Sequence, residues 1–122
     1  MTKKHILVVD DETAIRALLT EVLQLAGYRV SAAASAAEGM AVVRRNQPDL
    51  IIADLQMEET DGFDFIDELQ TVVPGLPVVL LTGVLFDEEV IRTKLEGKIV
   101  GYLDKTVPLE RIIAEVRRHL AD

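Results

Sequence analysis

Apolar and polar positions alternate between two patterns along the chain. Short β-rich runs occur at Ile6-Leu7-Val8-Val9, Tyr28-Arg29-Val30, Leu50-Ile51-Ile52-Ala53, Val78-Val79-Leu80-Leu81 and Val100-Gly101-Tyr102-Leu103. Several are apolar at every position, as parallel strands are when helices cover both faces. Between them the spacing turns helical. Ile15, Leu18, Leu19, Val22 and Leu25 follow i, i+3, i+4, and Gly27 stands where such a helix ends. Ser35-Ala36-Ala37-Glu38 reads as a capping box opening a second helix that stops before Pro48. Phe63, Ile66, Leu69 and Val73 mark a third, closed by Pro74-Gly75. A weaker fourth covers about 87 to 95, with Val90, Ile91 and Leu95 as its apolar members. Leu109, Ile112, Ile113, Val116 and Leu120 mark the last, with Pro108 in its first turn.

Five strand–helix units in alternation predict an α/β fold, a doubly wound five-stranded parallel sheet with five helices. There is no internal repeat, low-complexity segment or linker. One domain over residues 1–122 is therefore expected, with no output domain in this chain.

Composition narrows the function. The chain has no cysteine, which excludes disulfides, thiolate metal sites and a cysteine nucleophile. Its formal net charge is −8, from 21 acidic and 13 basic side chains. Direct binding to nucleic acid or to an anionic membrane rests on a basic surface, so neither partner is expected. The longest mostly apolar stretch, 76 to 86, is half the ~20 residues a membrane helix needs. The apolar run after the basic start ends at Asp10-Asp11, too soon for a signal peptide. A cytoplasmic location is the resulting expectation.

Ligands of open parallel sheets bind beyond the carboxyl ends of the strands. Asp10, Asp11 and Glu12 follow the first strand, Asp54 the third, Thr82-Gly83 the fourth and Asp104-Lys105 the fifth. Each has a structural reading. Acidic residues favour a helix N-terminus, an Asp or a Thr-Gly pair suits a turn, and a lone lysine is commonly solvated. Together they point elsewhere. Crowded carboxylates repel, a cost that a divalent cation removes, and all-oxygen ligands suit Mg²⁺ or a similar hard ion. A carboxylate beside such an ion can attack phosphorus, with Thr82 and Lys105 as neutral and cationic donors to the phosphoryl oxygens.

From Lys4 to Leu120 the sequence resembles the receiver domains of two-component response regulators, a flavodoxin-like group. The matching residues are Ile6-Leu7-Val8-Val9-Asp10-Asp11-Glu12, Pro48-Asp49-Leu50-Ile51-Ile52-Ala53-Asp54, Met57, Asp61-Gly62, Leu81-Thr82-Gly83 and Tyr102-Leu103-Asp104-Lys105. The resemblance implies that Asp54 is the phosphoacceptor and that the cofactor is Mg²⁺ or Mn²⁺. Asp11, Asp54 and the backbone carbonyl of Gln56 would bind the ion directly, and Asp10 through water. Thr82 and Tyr102 match the switch pair and Lys105 the phosphate-contacting lysine. Glu12 is expected to surround the site rather than ligate.

The implied partners are a sensor histidine kinase or histidine phosphotransfer protein, and a downstream output domain or protein. Receivers occur as monomers and as dimers, so a homodimer stays open. The domain would catalyse only its own phosphorylation and dephosphorylation. Gln56 and Val84 would lie beside the path of the hydrolytic water.

Two positions depart from the family pattern. Glu58 and Thr106 replace the customary prolines, and a cis bond without proline costs about 2.5–4 kcal/mol. The Lys105–Thr106 peptide, typically cis in relatives, is therefore expected to be trans. The segment 95–100 also lacks the usual Gly-Ala pattern.

Two alternatives compete: a degenerate receiver serving only for protein interaction, and a phosphatase of the haloacid-dehalogenase type. The second needs an Asp-x-Asp after the first strand, which Asp10-Asp11-Glu12 does not provide. A flavin carrier needs a Gly/Ser/Thr-rich first loop, and here that loop is acidic. Met40 and Phe63 are expected in the core, and His5 and His119 at the surface. Arg111, Arg117 and Arg118 are expected on the solvated face of the last helix.

Overall fold

The computed structural model describes residues 3–54, 56–57, 60–83 and 88–120. In chain order these form β1 (His5–Val9), α1 (Thr13–Leu25), β2 (Arg29–Ala33), α2 (Ala36–Arg45), β3 (Leu50–Ala53), α3 (Gly62–Val72), β4 (Val78–Thr82), α4 (Glu88–Leu95), β5 (Gly101–Asp104) and α5 (Leu109–Leu120). All five strands are parallel, in the spatial order β2-β1-β3-β4-β5. A two-residue antiparallel pairing of Gln56–Met57 with Thr60–Asp61 follows β3, and the periodicity does not predict it.

Alternation along the strands divides the core in two. Leu7, Val9, Ile51, Ala53, Val78 and Leu80 face α2, α3 and α4, meeting Met40, Val43, Phe65, Ile66, Leu69 and Leu95. Ile6, Val8, Leu50, Ile52, Val79, Leu81 and Leu103 face α1 and α5, meeting Leu19, Leu23, Ile112 and Val116. β1, β3 and β4 are buried throughout, which is why they read as unbroken apolar runs. Met40 is core, and Phe63 packs half-buried at its margin. Gly39 lets α2 approach the sheet: a Cβ there would stand 3.0 Å from Val9 Cγ2 and 3.2 Å from Phe65 Cζ.

Local signals set the helix ends. Ser35 Oγ accepts the Glu38 N–H at 3.2 Å, and Glu38 Oε2 accepts the Ala34 N–H at 3.3 Å. The return bond reaches one residue further back than in a regular capping box. After α1, Gly27 takes φ +103°, with Gly27 N–H to Gln24 O and Tyr28 N–H to Leu23 O, a Schellman closure. α5 begins at Leu109, so Pro108 lies just ahead of it rather than in its first turn. Arg111, Arg117 and Arg118 are exposed, as expected. The side chains of Val90 and Ile91 lie outside the described residues.

His5 corrects an expectation. It is buried rather than superficial: its backbone N–H donates to Asp49 Oδ2 at 2.7 Å, and Nε2 lies 2.7 Å from Ser31 Oγ. Burial holds its ring below the ordinary histidine value, with the Arg29 charge acting in the same direction and the Gln47 backbone and Asp49 opposing. His119 is half-buried, 2.9 Å from Glu115 Oε2.

Candidate functional site: an acidic pocket around Lys105

The sheet ladder continues one residue past each strand and so fixes the site's backbone. Asp10 N–H donates to Ala33 O, Asp54 N–H to Val9 O and Lys105 N–H to Thr82 O, at 3.0–3.1 Å. Residues on three strand ends thus converge at one edge.

Their side chains meet at a single ammonium. Lys105 Nζ lies 2.9 Å from Asp10 Oδ2, 2.9 Å from Asp54 Oδ2 and 2.7 Å from Glu12 Oε1. The Asp10 and Asp54 side chains are 3% and 4% exposed and Lys105 is 10% exposed, whereas Glu12 is 57% exposed. Asp10 Oδ1 also accepts the Glu12 N–H at 2.8 Å, and Arg16 donates to the Asp10 carbonyl at 2.7 Å. Burial pushes the Asp10 carboxyl up from its ordinary value, against the Glu12 N–H and Lys105. Burial opposes the charge on Lys105, but its hydrogen bonds to Glu12, Asp10 and Asp54 prevail and raise it well above the ordinary lysine range. This lysine stays protonated.

Thr82 is buried at the end of β4. It continues the face of Val78 and Leu80, while Leu103 on β5 faces the opposite way. Because Leu80 pairs with Tyr102 and Thr82 with Asp104, Thr82 and Tyr102 are diagonal neighbours on one face of adjacent strands. Tyr102 is 41% exposed on this edge strand. The next turn is tied by Asp104 Oδ1, which accepts from the Thr106 N–H and hydroxyl at 2.8 Å each. Those two bonds, backbone first, hold the Asp104 carboxyl below its ordinary value. Proline at 106 has no N–H to make the first of them. No cis peptide occurs among the described residues, so Lys105–Thr106 is trans.

The metal question can be put to the donor set. Carboxylate oxygens of Asp10, Glu12 and Asp54 lie within 4.8 Å of one another, an all-oxygen cluster that fits a hard divalent cation. Asp11 stands next to it, half-buried, outside that trio. Gln56 lies in the short pairing opposite Asp61. Glu58 and Val84 lie outside the described residues. Sequence reasoning missed the direct contact of Glu12 with Lys105, although Glu12 stands only three residues past β1, beside the site.

A parallel sheet here gathers buried carboxylates around a lysine beyond its strand ends, an acidic pocket of the phosphoacceptor type. The sequence model of the response regulator receiver domain matches residues 6–117, and the chain belongs to this family, the receivers of two-component systems. Among curated relatives, the transcriptional regulatory protein GlrR of Escherichia coli K12 is 46% identical over 79 residues, 65% of this chain and 18% of that protein. The DNA-binding transcriptional regulator NtrC of a Bradyrhizobium species is 35% identical over 122 residues, all of this chain and 25% of that protein. The chain thus spans about a fifth to a quarter of these two relatives.

Among solved structures, the chemotaxis protein CheY4 of Vibrio cholerae superposes with a TM-score of 0.89 at 28% identity, covering 98% of this chain and all of that one. The response regulator TrrA of Thermotoga maritima, in complex with Mg²⁺ and BeF, gives 0.85 at 28% identity, covering 96% and 99%. No helix among the described residues is long and apolar enough to cross a membrane.

Proposed function

We propose that Asp54 is the phosphoacceptor of this receiver and that residues 1–122 act as one domain. The observation that carries the reading is a buried carboxylate at the end of the central strand, 2.9 Å from a largely shielded lysine. An Asp54 oxygen attacks the phosphorus of a phosphohistidine. A P–O bond forms, the P–N bond breaks, and the imidazole leaves with its electron pair. Lys105 neutralises charge on the transferring oxygens, and the Thr82 hydroxyl donates to one of them. Asp10, Asp11, Asp54 and the Gln56 carbonyl would hold Mg²⁺ or Mn²⁺, Asp10 through water, and the ion would supply further charge neutralisation there. The domain's catalysis is limited to its own phosphorylation and dephosphorylation, the latter governed by Gln56 and Val84.

The switch is local. A phosphoryl group carries about −1.5 to −2 at neutral pH and replaces the −1 of Asp54, a net change of about one charge. In a chain already at −8, that is a weak lever for bulk repulsion. Movement of Thr82 towards the phosphoryl oxygens, with Tyr102 turning into the space vacated, uses their diagonal placement instead. The phosphoryl source is a sensor histidine kinase or phosphotransfer protein in the cytoplasm, and the readout is an output domain or protein partner. A homodimer is one form that readout can take. The acidic balance speaks against direct nucleic-acid or membrane contact by this domain.

Incubation with Mg²⁺ and a small acyl-phosphate donor, followed by intact mass measurement, tests the assignment. One phosphoryl adduct is expected on the unaltered chain and none on Asp54→Asn. An adduct that persists in Asp54→Asn overturns it. Turnover without an adduct would indicate a phosphatase, and no reaction at all an interaction module.

A further inference from the structure

Lys105 has three N–H donors, and three carboxylates already engage its ammonium, at 2.7 Å for Glu12 and 2.9 Å for Asp10 and Asp54. A phosphoryl oxygen that binds this lysine must therefore displace one of them. The three are not equally easy to release. Asp10 is almost fully buried and, once unpaired, leaves an uncompensated charge inside the protein, while Asp54 stays an anion that needs its cation until it has taken up the phosphoryl group. Glu12 is more than half exposed and returns to water when released. It also stands at the N-cap position of α1 without making a side-chain cap bond, so helix capping does not account for its placement.

We infer that Glu12 is a displaceable competitor for Lys105: its carboxylate occupies the donor that a phosphoryl oxygen takes over, so it acts as a positioning residue that sets the affinity of the pocket for the phosphoryl group. The inference rests on the Asp54–Lys105 reading above. Glu12 differs from Asp10 and Asp54 in role although all three touch the same ammonium. It holds Lys105 over the pocket in the resting state and withdraws as the anion arrives. Unlike Asp10, it can do so without leaving a buried charge unpaired.

Calorimetric titration with beryllofluoride at saturating Mg²⁺ tests this on the full chain. Glu12→Gln, which removes the competing charge, is expected to bind about two- to fivefold more tightly, the scale of an exposed ion pair. Glu12→Asp keeps the charge but is one methylene too short for the 2.7 Å contact, and it is expected to show a similar gain. In a Lys105→Met background Glu12→Gln is expected to change nothing, because the effect acts through the lysine. Binding by Glu12→Gln no tighter than that of the unaltered chain overturns the inference. So does an equal gain with and without Lys105, or a Glu12→Asp chain that behaves like the unaltered one, since either indicates simple repulsion of the anion. If Lys105→Met does not fold, the Glu12→Asp titration alone decides. If the unaltered chain takes up no beryllofluoride, the phosphoacceptor reading itself fails; uptake without a Glu12 effect refutes only this inference.

Discussion

Glu115 of α5 lies against Gly101 of β5, its Oε2 only 2.6 Å from where a Cβ at position 101 would stand. The buried carboxylate is held there by His119 at 2.9 Å and by Arg118 and Arg111 at 3.5 and 3.8 Å. Gly101→Ala must push it away. We expect destabilisation by about 1 kcal/mol, typical of single substitutions, despite the entropy an alanine saves. In a Glu115→Ala background the same change should be neutral or stabilising. Urea midpoints for the four-member cycle measure the coupling, and additive effects would show that the close approach is unimportant.

Removing the shared ammonium should be costly. Lys105→Met leaves Asp10 and Asp54 buried without their cation, and loss of one partner of a buried pair costs about 3–5 kcal/mol. Added Mg²⁺ should restore part of that stability by taking over the neutralisation. Urea denaturation with and without Mg²⁺ reads both effects; a variant as stable as the unaltered chain in metal-free buffer contradicts the electrostatic role.

His5 gives the fold a defined acid sensitivity. Burial holds its ring below 6.5, so the unfolded chain takes up a proton at a pH where the folded chain does not. Its contribution to stability is complete above pH 6.5 and is lost as pH falls through 6.5 towards the lower folded value. His5→Gln, which keeps a polar end for Ser31 Oγ, should flatten the decline as pH falls below 6.5. Unfolding midpoints across that window check the sign, and identical slopes for both chains rule it out.

Ser35→Ala removes the acceptor for the Glu38 N–H at the start of α2 and should cost about 1 kcal/mol. Ser35→Asp should retain most of that stability. Thermal denaturation of the pair tests whether the bond matters beyond local geometry, and equal losses in both variants would deny it.

The sequence displays the elements whose burial is uniform. β1, β3 and β4 read directly because both of their faces are covered, whereas β2 is recognisable only at its start. Ser31, Ala32 and Ala33 carry little strand preference and are extended by pairing with Leu7, Val8 and Val9. His5 misleads for the same reason: its burial is completed by Ser31 and Asp49, 26 and 44 residues away. At the site, Asp10, Asp54 and Lys105 are legible because each directly follows a strand. The contact of Glu12 with Lys105 spans 93 residues and depends on how one long side chain turns, which no spacing rule encodes.

The strand order also sets a length. Asp54 stands at the end of β3 and Tyr102 on β5, two places away in the sheet. At ~4.8 Å per strand, only two steps, roughly 10 Å, separate the Asp54 carboxylate from a half-exposed ring at the sheet's margin. Over such a span a message needs no extended relay of side chains. The single intervening strand is β4, and its terminal residue is Thr82.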